Sequence, residues 1–226
     1  MKRINTLLSL ILLLAISSCK NSTGGSAKDG EGKIVYKITY AEDNPYNNPM
    51  LPAETQFAFK AGKACFVTSG GGGLITVVNL LDNEKKKYSS LLINSFGENY
   101  AFTETPEDVK EQESNPQYKI ETTNEKKTIA GLECRKAIVN DLTNKKKFDV
   151  YFYDKVKVYY GDSPYKDFNY LLMEYQHTKY GLPMKLEASQ VDFNPVDTGV
   201  FSVHGEFKWV NRKRFFEEIE NMKVPM

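Results

Sequence analysis

The stretch Lys33–Tyr40, KIVYKITY, decides the fold class. Ile34, Tyr36, Ile38 and Tyr40 fall on every second position, and successive side chains of a strand point to opposite faces. The period of two therefore predicts a β-strand with one face buried.

The same pattern recurs along most of the chain between turn-forming residues, which predicts an antiparallel, meandering sheet. The run Leu74–Leu81, LITVVNLL, is nearly all apolar and is typical of a central strand. Fourteen Tyr and thirteen Phe residues also favour strands. The predicted strands are Lys33–Tyr40, Thr55–Lys60, Lys63–Thr68, Leu74–Leu81, Tyr88–Ile93, Asn99–Thr103, Tyr118–Thr123, Lys127–Ile129, Glu133–Asn140, Phe148–Tyr153, Val156–Tyr160, Met184–Val191 and Phe201–Trp209.

Up to three short helices are expected. Thr105 is a suitable N-cap followed by a proline, and Ser163-Pro164 is a second helix start. The third helix, Asn211–Met222, has a capping asparagine and an apolar stripe. The second helix would bury one stripe, formed by Tyr165, Phe168, Leu171, Leu172 and Tyr175. Residues 33–226 are thus expected to form one mainly β domain, α+β if its helices are counted, with a curved antiparallel sheet and two or three short helices packed on it.

The N-terminus has the three parts of a secretory signal. Lys2 and Arg3 are basic, an apolar run follows, and small residues precede Cys19. The sequence Ile16-Ser17-Ser18-Cys19 resembles the lipobox of bacterial lipoproteins, which implies cleavage after residue 18 and a lipid on Cys19. The alternative is an ordinary secreted protein with a cysteine at this place by chance. Residues 19–32 are rich in Gly and Ser and are expected to be a flexible tether.

The charge balance gives no reason to expect nucleic acid. The formal charge is +1, and removal of Lys2 and Arg3 with the signal would change it to −1. The clusters Lys85–Lys87, Lys126–Lys127 and Lys145–Lys147 are explained by solvated hairpin tips. The functional alternative is a basic rim that meets anionic lipid headgroups.

No catalytic group, metal site or cofactor site is predicted. His177 and His204 have no metal-ligand spacing, and no serine lies in a GxSxG turn. The glycines at 70–73 lack the Lys-Ser/Thr of a phosphate loop and are expected to form a hairpin loop, at best a lip beside a binding face. Cys65 and Cys134 could form a disulfide in an oxidising compartment or remain as buried free thiols.

The aromatic strands are the strongest remaining signal. One interpretation is a core on one side of the sheet and ordinary exposed tyrosines on the other. The other is a concave face that binds an apolar ligand. The candidate ligand-binding residues are Tyr36, Phe57, Phe59, Tyr151 and Tyr153.

Several blocks resemble an uncharacterised family of bacterial lipoproteins related to the periplasmic lipoprotein-carrier (Lol-type) superfamily. The most specific block is TIAGLECRK at 128–136, and the next is YGLPMKLE at 180–187. GKIVY at 32–36 and MLP at 50–52 complete the resemblance, which covers most of residues 33–210. It implies a half-open antiparallel β-barrel with helices closing its concave side. No catalytic residue is implied.

These observations lead to one main functional expectation. The protein is expected to be a non-enzymatic lipoprotein of the cell envelope, anchored in the outer membrane and facing the periplasm, that binds a hydrophobic or amphipathic ligand such as a lipid. The alternative is an envelope protein that interacts with another polypeptide and takes no small ligand. A hydrolase with an unrecognised site ranks third because no motif supports it.

Overall fold

The computed structural model describes residues 30–41, 50–108, 118–161, 165 and 168–223. The predicted signal, Cys19 and most of the tether lie outside them. The three clusters of the core are assembled from residues 34–222, so a protein that begins at Lys20 retains every residue of this core.

One open, curved sheet of twelve strands dominates the structure and does not close into a barrel in the described part of the chain, as expected from the sequence. Its spatial order is β12-β6-β5-β4-β3-β2-β1-β11-β10-β9-β8-β7. The strands are β1 (Glu31–Tyr40), β2 (Glu54–Lys60), β3 (Lys63–Gly70), β4 (Ile75–Asp82), β5 (Lys87–Asn94), β6 (Tyr100–Thr103), β7 (Tyr118–Ile129), β8 (Leu132–Asp141), β9 (Lys146–Tyr153), β10 (Leu171–Lys179), β11 (Leu182–Asp192) and β12 (Lys208–Trp209).

Two meanders, β1–β6 and β7–β11, meet where β1 pairs with β11. Neighbouring strands are antiparallel except β6 and β12, which are parallel. The link from β6 to β7 joins opposite edges of the sheet, and its residues 106–108 are helical, capped by the Thr105 hydroxyl, which accepts from the Asp108 N–H at 3.2 Å.

The C-terminal helix α1 (Arg212–Lys223) confirms the third predicted helix. The Asn211 side chain caps it by accepting the Arg214 N–H at 2.9 Å. Phe215 and Ile219 of α1 pack on Leu92 and Phe102, on the face of the sheet that carries Tyr36, called the inner face below.

The second predicted helix is wrong. Its apolar residues Leu171, Leu172 and Tyr175 belong to strand β10, which pairs with β9 and β11. Leu171 and Leu172, which pair with Tyr153 and Phe152 on opposite faces, are both fully buried, so both faces of β10 are covered. A strand covered on both faces reads as a continuous apolar run, and here that run also matches helical spacing.

Two predicted strands are also corrected. Val156–Tyr160 joins no strand ladder, although Val156, Val158 and Tyr160 are buried on alternate positions. In Phe201–Trp209 only Lys208 and Trp209 form a strand. Phe201 ends a 3-10 turn (Thr198–Phe201), and Phe201 and Phe207 pack on the outer face of β3–β6.

The predicted lysine clusters do not form one rim. The antiparallel register places the β4–β5 turn at the end of the sheet where β1 begins, whereas the β8–β9 turn lies at the opposite end. Lys126 and Lys127 lie within β7 rather than at its tip. Solvated hairpin positions explain Lys85 and Lys145.

Candidate ligand site

A hollow lies on the inner face between the sheet and its covers. α1 covers it from one side, and the connection between β9 and β10, described at 154–161, 165 and 168–170, covers it from the other. The hollow measures about 150 Å³. Its walls are mainly apolar and aromatic, and include Ile38, Tyr40, Phe66, Ile75, Val77, Leu92, Tyr160, Tyr175, Met184, Leu186, Ile219 and Met222.

The volume of the hollow is large enough for a small apolar ligand. An apolar cavity of about 150 Å³ stays dry and can hold a benzene-sized ligand. The space left between the sheet and its covers can therefore take an apolar group without rearranging the core.

The tyrosine hydroxyls around the hollow are bonded to the protein. Tyr40 donates to the Pro52 carbonyl at 2.8 Å, and Tyr165 donates to the Gln176 carbonyl at 2.7 Å. Tyr160 accepts the Leu172 N–H at 2.7 Å. Burial raises the pKa of Tyr40 to about 12 and those of Tyr160 and Tyr165 further. With their hydroxyls held in this way, these tyrosines present apolar ring surface to the hollow.

Tyr180 reaches across the sheet to form one wall. Its hydroxyl donates to Asn79 Oδ1 of β4 at 2.8 Å. In a flat sheet, β4 and β11 would lie four strand spacings apart, about 19 Å. The bond thus depends on the curvature of the sheet and on a tight turn in which Tyr180 (φ 51°) and Gly181 (φ 73°) are both left-handed. Side chains, rather than strand pairing, bridge the open barrel at this point.

A second cleft of about 330 Å³ adjoins the hollow and is called the polar cleft below because charged side chains line it. Four residues line both spaces: Asn79, His177, Lys179 and Tyr180. The other walls of the cleft are mixed: they have Arg212 at the start of α1, the polar side chains of Ser89, Ser90, Glu104 and Thr178, and the apolar or aromatic side chains of Leu80, Leu81, Tyr88, Phe102 and Phe216. The apolar hollow and the polar cleft therefore share one boundary.

Three of the predicted ligand-binding residues are packed into the core. Tyr36, Phe57 and Phe59 are at most 2% exposed and do not line the hollow. The Tyr36 hydroxyl donates to the Leu172 carbonyl at 2.7 Å, and Phe57 stacks on Phe66 at 4.3 Å between ring centroids. The β9–β10 connection covers these three rings, so they lie in the core and not in the wall of the hollow.

The other two predicted residues lie elsewhere. Tyr151 is on the opposite face of β9 from Val150, and its hydroxyl donates to Glu125 Oε1 at 3.0 Å while Lys127 lies over its ring. Tyr153 is buried against Phe193, with ring centroids 6.2 Å apart. Neither residue contacts the hollow.

Cys65 and Cys134 are free and buried, so the disulfide that the sequence left open is not formed. They belong to different core clusters. Burial raises the pKa of each thiol to about 11, which keeps both protonated and unreactive near neutral pH.

The structure also places the glycine loop and His204, which the sequence analysis singled out. Gly70 lines the hollow, and a Cβ there would lie 2.7 Å from the Met50 carbonyl oxygen, so the segment at 50–52 depends on this glycine to pack beside the hollow. His204 Nε2 contacts the Gly199 carbonyl at 2.9 Å. Within the described residues, no three His, Cys, Asp or Glu side chains could hold a metal ion together. None of the described helices has the length and apolar character to cross a membrane.

Sequence reasoning missed the residues at the boundary. Asn79 carried a readable signal, because it is the one polar side chain on the inner face of the apolar run ITVVNLL. A polar residue there indicates a polar partner across the hollow. Lys179 and Arg212 carried no comparable signal, since lysines and arginines are common at strand and helix ends.

No protein-family model matches the chain, and no curated protein matches it, so the resemblance to carrier-related lipoproteins stays a prediction. Among solved structures, the chain is similar to PNGF-II in two crystal forms. The TM-scores are 0.52 (C2) and 0.54 (P21), each at 14% identity over 84% of this chain. The match spans about a third of PNGF-II, 32% and 33%, and supports the fold alone.

Proposed function

We propose that the protein is a lipid-anchored envelope lipoprotein that binds a hydrophobic or amphipathic ligand in the hollow and is not an enzyme. The observation that carries this proposal is the hollow itself, an apolar space of about 150 Å³ on the inner face. Pockets of this kind, with mostly apolar walls and a few placed polar groups, are typical of ligand sites.

The distribution of polar groups supports binding rather than chemistry. The tyrosine hydroxyls at Tyr40, Tyr160 and Tyr165 are bonded to backbone carbonyls or N–H groups. Cys65 and Cys134, which could act as nucleophiles if exposed, are buried with raised pKa values. The walls of the hollow therefore support binding through their shape and their apolar surface.

The anchor belongs to the same proposal. Cys19, through its lipid, would hold the domain at the outer membrane facing the periplasm, with residues 20–29 as part of the tether. Metabolic labelling with a radioactive fatty acid tests this step: label retained by the wild type and lost in Cys19→Ala supports the anchor, and equal labelling contradicts it.

Native mass spectrometry of the protein beginning at Lys20 tests the binding step. We expect a co-purified ligand, or uptake of an added hydrophobic probe, that Val77→Trp abolishes by filling the hollow. Val77 is half-buried and lines the hollow. Thr76→Trp, on the neighbouring outward position of β4, is the matched control. Absence of any bound or added ligand would contradict the proposal.

A protein partner is the second candidate, favoured by two exposed aromatic side chains at one edge of the sheet. Phe96 in the β5–β6 turn is 77% exposed, and Trp209 on β12 is 54% exposed. Cross-linking in envelope fractions tests it: one dominant partner lost in the Phe96→Ser, Trp209→Ser double variant would support this candidate.

A further inference from the structure

The hollow and the polar cleft together indicate what class of ligand fits, an inference that rests on the proposed function. Asn79, His177, Lys179 and Tyr180 line both spaces, so a molecule lying across this boundary would have one apolar and one polar end. By comparison with a benzene-binding cavity, the hollow has room for roughly the last six carbon atoms of a longer chain. The adjoining cleft has about 330 Å³ for the polar end.

The charges of the cleft favour an anionic end. Lys179 and Arg212 line it, and Glu104 is the one carboxylate among the described residues that do so. The formal balance of these three groups is positive. Opposite charges attract more strongly beside low-dielectric walls than in bulk water, so an anion gains more here than on an open surface.

Aromatic rings lie beside the two cations. Lys179 Nζ lies 5.9 Å from the ring centroids of both Phe66 and Tyr180, which puts the ammonium at the edge of the hollow. The Arg212 guanidinium lies 5.3 Å from the Phe216 ring. Contacts of this kind before binding lower the cost of ordering the side chains when a ligand arrives.

The neutral groups fit the same orientation. Asn79 Oδ1 accepts hydrogen bonds from Tyr180 and from Ser90 Oγ at 2.8 and 2.9 Å. Its oxygen is thus occupied by protein donors, and its amide N–H groups are donors that suit an acceptor-rich headgroup.

We infer that the ligand is a single-chain amphiphile with an anionic headgroup, whose chain fills the hollow and whose headgroup lies in the polar cleft beside Lys179 and Arg212. A cationic headgroup would meet the net positive charge of Lys179, Arg212 and Glu104 there. A neutral headgroup would gain hydrogen bonds but no charge attraction.

Competition against a neutral fluorescent probe of apolar sites, N-phenyl-1-naphthylamine, tests this inference with the protein beginning at Lys20. The competitors are decanoate, 1-decanol and decyltrimethylammonium, which share one chain length, in low salt at a pH of about 8, where the carboxylate is ionised. We expect decanoate to compete about tenfold better than decanol and decyltrimethylammonium to compete worst. Raising the salt should weaken decanoate most.

Variants assign the preference to the cleft. Lys179→Met keeps the apolar stem and should reduce the decanoate-to-decanol ratio to about threefold or less, with decanol unchanged. Lys179→Arg should keep the ratio, and Arg212→Gln should lower it from the other side of the cleft. Lys213→Met, an exposed position on α1 outside both spaces, is the matched control. If Lys179→Met does not fold, Arg212→Gln decides.

The outcomes separate the two proposals. If decanol and decanoate bind equally well to the wild type, the headgroup inference is wrong and the proposed function stands. If neither competes with the probe and native mass spectrometry shows no ligand, the proposed function fails. If Lys213→Met lowers the ratio as much as Lys179→Met, the preference comes from general surface charge and the cleft is not the headgroup site.

Discussion

Strands β1 and β2 each have one end in a packed region of the inner face and the other end beside the hollow. Ile34, Tyr36, Phe57 and Phe59 form the packed end, where rings fill the space between the sheet and the β9–β10 connection. Further along the same face, Ile38, Tyr40 and Thr55 line the hollow. The alternation of residues is the same at both ends. The two ends differ in the segments that cover them. A strand pattern therefore shows which residues share a face, but it does not show whether other side chains fill the space above that face.

The largest expected effect is a loss of folding stability at alkaline pH. Burial raises the pKa values of Tyr36, Tyr160 and Tyr165 well above the ordinary value of about 10. Above that pH the unfolded chain loses these protons while the folded protein keeps them, so stability is complete below about pH 10 and falls as the pH rises. These three groups alone lower the free energy of unfolding by about 4 kcal/mol per pH unit, and Tyr40, whose pKa burial raises to about 12, adds to the loss. We expect the protein to unfold cooperatively above roughly pH 11.

Urea titrations between about pH 9 and 11 measure this slope. Tyr165→Phe should flatten it by about 1.4 kcal/mol per pH unit. An unchanged slope would mean that Tyr165 ionises in the folded protein, and that solvent reaches it beneath the β9–β10 connection.

The next contrast is in side-chain volume. Phe57 contacts four rings, those of Tyr36, Phe59, Phe66 and Tyr160, and is 1% exposed. Phe57→Ala should lower the free energy of unfolding by about 3–5 kcal/mol. Ile38→Ala, at the hollow end of β1, should cost about 1 kcal/mol because the side chain is only half-buried. Equal losses in urea denaturation would show that the two ends are packed alike.

A smaller contrast concerns hydroxyl groups. Tyr160→Phe removes the acceptor of the buried Leu172 N–H and should cost about 1–3 kcal/mol. Tyr40→Phe removes a hydrogen bond to the Pro52 carbonyl beside the hollow and should cost about 1 kcal/mol. Thermal denaturation of the two variants compares them directly, and a larger loss of stability in Tyr40→Phe would contradict the greater cost expected for the buried Leu172 N–H.

These contrasts explain how much of the structure could be predicted from the sequence. The meander was predictable because half-buried strands alternate, and α1 was predictable because Asn211 caps an amphipathic stripe. Strand β10 was not, because burial of both Leu171 and Leu172 removes the alternation. Tyr36 and Phe57 were correctly placed on the inner face, but the cover above them comes from residues about a hundred positions later in the chain.

The candidate site could be predicted from the sequence only in part, for the same reason. Its apolar character could be predicted from the aromatic strands, whereas its position depends on where the cover stops. Tyr180 reaches Asn79 only through the curvature of five strands and a left-handed turn, which no local pattern encodes. Asn79 alone carried a local signal.

The smallest expected effect concerns the cover of the hollow. Asn211→Ala removes the cap of α1 and should cost about 1 kcal/mol, whereas Asn211→Ser should retain most of the stability. Since α1 packs on β4–β6 rather than on the packed end, we expect this loss to appear as local opening.

Hydrogen exchange distinguishes local from global loss. In Asn211→Ala the amides of α1 should exchange roughly fivefold faster, while those of β1 and β2 near Tyr36 and Phe57 should change little under conditions where they also exchange by local opening. Faster exchange by the same factor in all three elements would mean that α1 and the aromatic cluster open as one unit. The hollow would then be a fixed gap in a single core. Selective exchange in α1 would instead make its movement the step that admits a ligand longer than the hollow.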